Sequence, residues 1–185
     1  MKNGLGLGFL RKRISKAWWL PAFFLLATAV TVKAETYGDF IYAISPDGTV
    51  RIDEYTGLDS VLDIPSDIKG QTVVGIGRYA FSSRTNLTNV TIPNSVLYLE
   101  DYVFSDCTRL TSVTIGTGVN SIGFRVFYYC TNLTAITVNA LNSSYSSLGG
   151  VLFNQNQTTL VQYPEGPTGD YTIPPASLTS GKRRS

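Results

Sequence analysis

Through the middle of the chain, apolar residues return every 23 positions. Val73, Val96 and Val119 form one column; Ile76, Leu99 and Ile122 a second; Phe81, Phe104 and Phe127 a third. Leu87, Leu110 and Leu133, then Val90, Val113 and Ile136, then Ile92, Ile115 and Val138 complete the set. Six columns in register over three copies predict a solenoid, because a coil of this size buries its apolar face only against the coils beside it. Two shorter periods lie inside each copy. Leu110 to Ile115 alternates apolar with small polar residues, the mark of a half-buried strand. Ile122, Val126 and Phe127 fall at offsets of zero, four and five, which predicts a short helical turn. Pro93, Gly116 and Gly118 supply bends between the two. The expected fold is therefore an α/β solenoid, a short right-handed coil of 23-residue repeats.

The flanks divide the rest. Phe40–Ile44 and Thr49–Ile52 enclose Ser45-Pro46-Asp47-Gly48, the pattern of a β-hairpin that covers the open apolar end of the first coil. Residues 35–60 are thus expected to be an N-terminal cap and 61–138 the repeats. Val61–Pro65 reads as the strand of an incomplete opening repeat, with Ser66–Gly70 as a five-residue loop insertion. Asn139 to Ser147 is polar and reads as a surface loop, followed by a second hairpin around Asn154–Gln157; together they fill 139–170. Tyr171-Thr172-Ile173-Pro174 begins another strand whose helical half does not follow, so 171–185 is expected to be a truncated repeat with a disordered basic tail.

Charge changes the picture at the ends. Lys2, Arg11, Lys12, Arg13, Lys16 and Lys33 precede residue 35, and Lys182, Arg183 and Arg184 close the chain. Between them six basic residues face 13 carboxylates, so the body carries about −7. Such a body offers no basic stripe to a phosphate backbone, and no nucleic-acid partner is expected. The first 34 residues combine a basic start, an apolar run from Ala17 to Val32 and the small-residue step Val32-Lys33-Ala34. That is the layout of a secretory signal cleaved before Glu35. The run is shorter than the ~20 residues a spanning helix needs, and an uncleaved anchor is the alternative. Membrane contact is expected only through this segment.

Candidate chemistry is sparse. The chain has no histidine, which removes the usual nucleophile–base pairs and the commonest zinc ligand. No catalytic, cofactor-binding or metal-binding residue is assigned. Asp59, Asp63 and Asp67 are spaced by four but cross strand and loop signals, and read as solvated acids, with a calcium site as the alternative. Cys107 and Cys130 lie one repeat apart and occupy equivalent slots. Parallel Cβ vectors oppose the disulfide torsion, so buried thiols are expected, with a bridge as the alternative.

These residues carry a resemblance. The unit Ile-Gly-x-x-x-Phe-x-x-Cys-Thr-x-Leu-Thr-x-(Val/Ile)-Thr-Ile, seen at Ile122-Gly123, Phe127, Cys130-Thr131, Leu133-Thr134 and Ile136-Thr137 and again from Leu99 through Ile115, resembles the BspA-like, or Treponema-type, leucine-rich repeat. The segment Gly149–Asn154 with Thr158–Pro164 is similar to an insertion found between repeats of that family. The likeness covers about Val61 to Pro174. It implies a curved solenoid on a secreted or cell-surface, mostly bacterial protein whose relatives bind matrix proteins or other cells.

The expected function is non-enzymatic, adhesin-like contact with a protein or cell-surface ligand, by a monomer outside the cytoplasm. The alternatives are a truncated structural fragment of a larger surface protein and, more weakly, a carbohydrate-binding accessory module. The candidate binding residues alternate with the core on the concave strand face: Asn89, Thr91, Ser112, Thr114, Ala135 and Thr137. Tyr79, Tyr98, Tyr102, Arg125, Tyr128 and Tyr129 are expected on the opposite, helical side.

Overall fold

A computed structural model describes residues 34–166. The leader up to Lys33, the strand expected at Tyr171–Pro174 and the basic tail lie outside the described residues. In chain order the strands are β1 (Glu35–Tyr37), β2 (Phe40–Ile44), β3 (Val50–Tyr55), β4 (Val61–Asp63), β5 (Asp67–Ile68), β6 (Gln71–Ile76) and β7 (Asn89–Ile92). They continue with β8 (Tyr98–Leu99), β9 (Ser112–Ile115), β10 (Ser121–Ile122), β11 (Ala135–Val138), β12 (Tyr145–Leu148), β13 (Val151–Asn154) and β14 (Leu160–Gln162).

Each repeat contributes one rung to two parallel sheets. β4, β7, β9 and β11 stack side by side, with Val90 opposite Val113 and Val113 opposite Ile136. β6, β8 and β10 stack likewise, with Ile76 opposite Leu99 and Leu99 opposite Ile122. Every one of these partners is 23 residues away, so the sequence period is the physical register of the ladder. Alternate residues face inward: in β9, Val113 and Ile115 are buried, Ser112 is half-buried and Thr114 is exposed.

The third side of each coil corrects the α/β assignment. Among the described residues there is no helix, and the fold is a β-solenoid. The reason lies in where the amides go. Ala80 N–H, Ser82 N–H and Arg84 N–H donate three residues back, to Gly77, Tyr79 and Phe81. The intervening Tyr79, Phe81 and Ser83 N–H groups donate to Asp101, Val103 and Ser105 of the next coil. A helix would need all of them within the segment. Two left-handed residues per coil enforce this path: Tyr79 (φ 61°) and Ser83 (60°), Tyr102 (58°) and Asp106 (60°), Arg125 (52°) and Tyr129 (56°). Such φ values are uncommon without glycine, and their recurrence at 23-residue spacing shows the ladder imposing them. Val126 and Phe127 both point inward because the chain reverses at Arg125, which mimics a helical offset.

The ends are closed by different means. β2 and β3 form an antiparallel hairpin, and β3 then runs parallel to β6, so the hairpin extends the second sheet beyond the first coil. The insertion after Ser66 is a tight hairpin rather than an open loop. β5 pairs antiparallel with β6, and Lys69 (φ 54°) and Gly70 (φ 82°) make its two-residue turn. At the other end, 139–147 differs from the expected surface loop. β12 begins within this region, at Tyr145, and pairs with β13, which pairs with β14. Asn142 is buried: its Nδ2 donates to Gly116 O (2.9 Å) and Val119 O (3.0 Å), and its Oδ1 accepts from the amides of Ser144 (2.9 Å) and Tyr145 (2.8 Å). The last coil's outward amides find partners here too, Ile136 N–H on Gly150 O (2.8 Å) and Val138 N–H on Ser147 Oγ (3.0 Å).

One apolar core runs the length of the stack. Its centre is an aromatic column: Phe81 and Phe104 have ring centroids 5.1 Å apart, and Phe104 and Phe127 stack with centroids 5.6 Å apart and planes nearly parallel at 3°. The column continues into the N-terminal hairpin through Tyr55, 5.5 Å from Phe81, and Phe40, 5.1 Å from Tyr55. Each buried ring contributes roughly 1.5–3 kcal/mol. Tyr55 donates its hydroxyl to Asp59 at 2.6 Å, which satisfies the polar end of an otherwise buried side chain.

Cys107 and Cys130 are free and buried beside this column. Each thiol donates to the carbonyl of the phenylalanine one coil back, Phe81 and Phe104, at 3.1 Å. Burial pushes the Cys107 thiol up to about 12 from its ordinary value near 9, and Cys130 is raised for the same reason. Neither should react with a disulfide reagent such as DTNB until the chain unfolds, and reaction of the native protein within seconds would place them at the surface. Burial, then the hydrogen bond to Asp59, also raises the Tyr55 hydroxyl from 10 to about 12. All three groups hold their protons more tightly folded than unfolded, so their contribution to stability is complete below pH 9 and lost as pH climbs toward 12. Urea midpoints that stay flat from pH 9 to 12 would contradict this.

Candidate functional site

All six candidate residues of the strand face stand on the outer surface of the four-stranded sheet, in two rows. Asn89, Ser112 and Ala135 are rung partners and half-buried; Thr91, Thr114 and Thr137 are rung partners and exposed. Val61 and Asp63 of β4 extend the two rows by one rung. Parallel rungs sit about 4.8 Å apart, so each row is a regular line of small side chains. Asn89 Nδ2 donates to Ser112 Oγ at 2.6 Å, while Thr111 and Thr134 donate their hydroxyls one coil back to the carbonyls of Thr88 and Thr111. Asn89 and Ser112 are thereby fixed against one another.

Beside the threonine row runs a groove of about 740 Å³, bordered by Thr91, Thr114 and Thr137 together with Pro93, Asn94 and Asn139. The bend residues were missed as site candidates, although their signal was present: Pro93 and Gly116 occupy equivalent places one repeat apart. Gly118 lets adjacent coils approach here, since a Cβ would collide with the carbonyl oxygen of Asn94.

The turn side carries a second, chemically different surface. Tyr79 stacks on Tyr102 (centroids 5.1 Å), and Tyr102 meets Phe124 (6.0 Å) and Tyr128 (6.5 Å) edge-on. Tyr128 contacts Tyr129 at 4.2 Å. Arg78 lies over the rings of Tyr79 and Tyr102, and Arg125 over those of Phe124 and Tyr128. Phe124 is 60% exposed, Tyr129 52% and Tyr79 48%. Five of the six residues expected on that side are thus together. Tyr98 is apart, its ring lying over Gly75 in the second sheet and close to Arg51. Arg78 and Phe124 join the cluster without having been singled out, since neither fits an apolar column.

The spaced acids are not brought together. Asp59 accepts from Tyr55, Asp67 Oδ1 accepts from the Gly70 amide at 2.8 Å, and Asp63 is exposed on the outer sheet face. Among the described residues no group of three metal-ligating side chains converges, and no helix is long and apolar enough to cross a membrane.

Comparison with known proteins agrees with this geometry. Residues 62–169 match the BspA type leucine rich repeat region, in six copies. A leucine-rich-repeat protein of Treponema pallidum (TpLRR) is similar at 30% identity and a TM-score of 0.53, over 56% of this chain and 49% of its own length. This chain therefore spans about half of that relative. A leucine-rich-repeat protein of Bacteroides capillosus is similar at 30% identity and 0.53, over 58% of this chain and 83% of its own. One of Bacteroides ovatus is similar at 26% identity and 0.52, over 60% of this chain and 30% of its own. No match was found among curated proteins. With the repeat model covering most of the described coils, the chain belongs to the BspA-type leucine-rich-repeat family.

Proposed function

We propose that the chain is a non-enzymatic recognition module of a bacterial cell exterior, which contacts a protein or cell-surface ligand through the outer face of its four-stranded sheet. The observation that carries this reading is the pair of regular, outward-facing rows, Asn89, Ser112, Ala135 and Thr91, Thr114, Thr137, running beside an open groove. An array of short side chains on a hydrogen-bonded ladder has little rotamer freedom to lose, so ordering it on binding costs little entropy. Placement outside the cytoplasm rests on the basic-then-apolar leader and on membership of a family whose solved relatives are bacterial. The module acts as a monomer.

Two measurements test this. Mass spectrometry of the exported protein should find a mature chain that begins at Glu35; a chain retaining residues 1–34 in the cytoplasm would sink the location. Binding of the labelled protein to intact cells, read by flow cytometry, should fall about tenfold or more in T91R/T114R, because two long charged side chains block the row and groove together. Unchanged binding would remove the sheet face as the contact surface.

A further inference from the structure

We propose that the aromatic strip on the turn side is a binding site for an acidic polysaccharide, with Arg78 and Arg125 taking its carboxylates and the tyrosine and phenylalanine rings stacking on its sugar faces. This surface is separate from the sheet face and does not depend on the reading given to it.

Three observations converge. The first is the state of the arginines. Arg51 pairs with Asp53 and Glu100, and Arg84 with Glu54. Arg78 and Arg125 instead lie on aromatic rings and, among the described residues, their guanidinium groups have no carboxylate partner. The acids that reach this strip are turned onto backbone amides: Glu100 accepts from Arg78 N–H, Asp101 from Phe124 N–H and Glu165 from Tyr129 N–H. A guanidinium stacked on a ring keeps its edge N–H groups free, held in the plane that suits a carboxylate.

The second is the exposed ring area. Tyr79, Tyr129 and Phe124 are each about half exposed or more, in a body that otherwise buries its aromatic column. Rigid Tyr and Phe faces beside arginine are the residue types that dominate binding surfaces.

The third decides between occupants. An acidic peptide would also satisfy two arginines, but an extended peptide is held chiefly by its backbone, which requires a free strand edge. In the first two coils of the strip the amides of Tyr79 to Arg84 and of Tyr102, Phe104, Ser105 and Asp106 are committed to turns or to the next coil, and in the last coil the Tyr129 amide is taken by Glu165. A sugar chain needs no such edge, since it presents C–H faces to the rings and keeps its hydroxyls in water. Arg78 and Arg125 stand two coils apart along the stack, roughly 10 Å at about 4.8 Å per rung, which is of the order of the uronic-acid repeat in an alternating polysaccharide.

The test is affinity electrophoresis of the full chain through gels containing hyaluronate, polygalacturonate, neutral dextran or poly-glutamate. The chain's basic ends would bind any polyanion alike, so the variants decide. Expected is retardation by both acidic polysaccharides, no retardation by dextran, and affinity for poly-glutamate about tenfold weaker. R78A/R125A, at exposed positions, should lose about tenfold, and R78K/R125K should lose less, because lysine keeps the charge without the fork. Absence of retardation by acidic polysaccharides, undiminished binding in R78A/R125A, or poly-glutamate binding as tight as hyaluronate would each overturn the proposal.

Discussion

Phe104→Ala is expected to destabilise the protein by about 3–5 kcal/mol. The residue is fully buried and stands between two other rings, Phe81 at 5.1 Å and Phe127 at 5.6 Å. Removing it opens a void that neighbouring coils have little freedom to fill, because the Phe104 amide is bonded to Val126 O at 2.8 Å and the backbone spacing is fixed by the ladder. The loss is therefore larger than at a site that can collapse. Thermal unfolding should shift down by roughly 10 °C or more. Phe104→Leu, which keeps most of the volume, should lose clearly less. A Phe104→Ala variant that melts with the parent would mean that this ring does not face inward.

Asn142→Ala comes second, at about 2–3 kcal/mol. Four hydrogen bonds meet at this one buried amide, two donated to Gly116 O and Val119 O and two accepted from Ser144 and Tyr145. Its loss leaves carbonyls of the third coil without partners just where the last coil ends. Asn142→Asp separates this cause from a simple packing loss. Aspartate has nearly the same shape, yet it has no N–H for the two carbonyls and sets a negative charge against them. It should therefore be at least as damaging as alanine. An Asn142→Asp variant as stable as the parent in urea unfolding would contradict the role given to this side chain.

The two positions differ in how visible they were. Phe104 belongs to a column repeated every 23 residues, and repetition turned a weak local pattern into a firm register. The same holds for the strands β7, β9 and β11 and for the turn at Pro46-Asp47-Gly48, whose chemistry is local. Asn142 occurs once. Nothing in a run of Asn and Ser marks one amide as buried, because its burial is decided by carbonyls 23 and 26 residues earlier. Tyr55 was hidden for a related reason: it continues the aromatic column from a hairpin that does not follow the repeat spacing. The missing helix has another origin. Ile122, Val126 and Phe127 give a helical offset, but periodicity reports only which side chains share a face. It does not report that alternate amides leave the segment for the next coil, nor that Arg125 and Tyr129 adopt left-handed φ. On the binding surfaces, alternation placed the outward rows of the sheet, whereas the neighbours Arg78 and Phe124 became visible only once the coils were stacked.

The central claim is that successive coils lie directly on one another, in 23-residue register, with the third side bonded between coils instead of within a helix. Nuclear Overhauser contacts in the labelled protein test it most directly. The account predicts ring-to-ring contacts of Phe81 with Phe104 and Phe104 with Phe127, together with slow exchange at the Phe81 and Phe104 amides, which donate to Val103 and Val126. Sequential contacts at three and four residues along 122–127, with those rings contacting only their own segments, would show a helix in its place and contradict the stack.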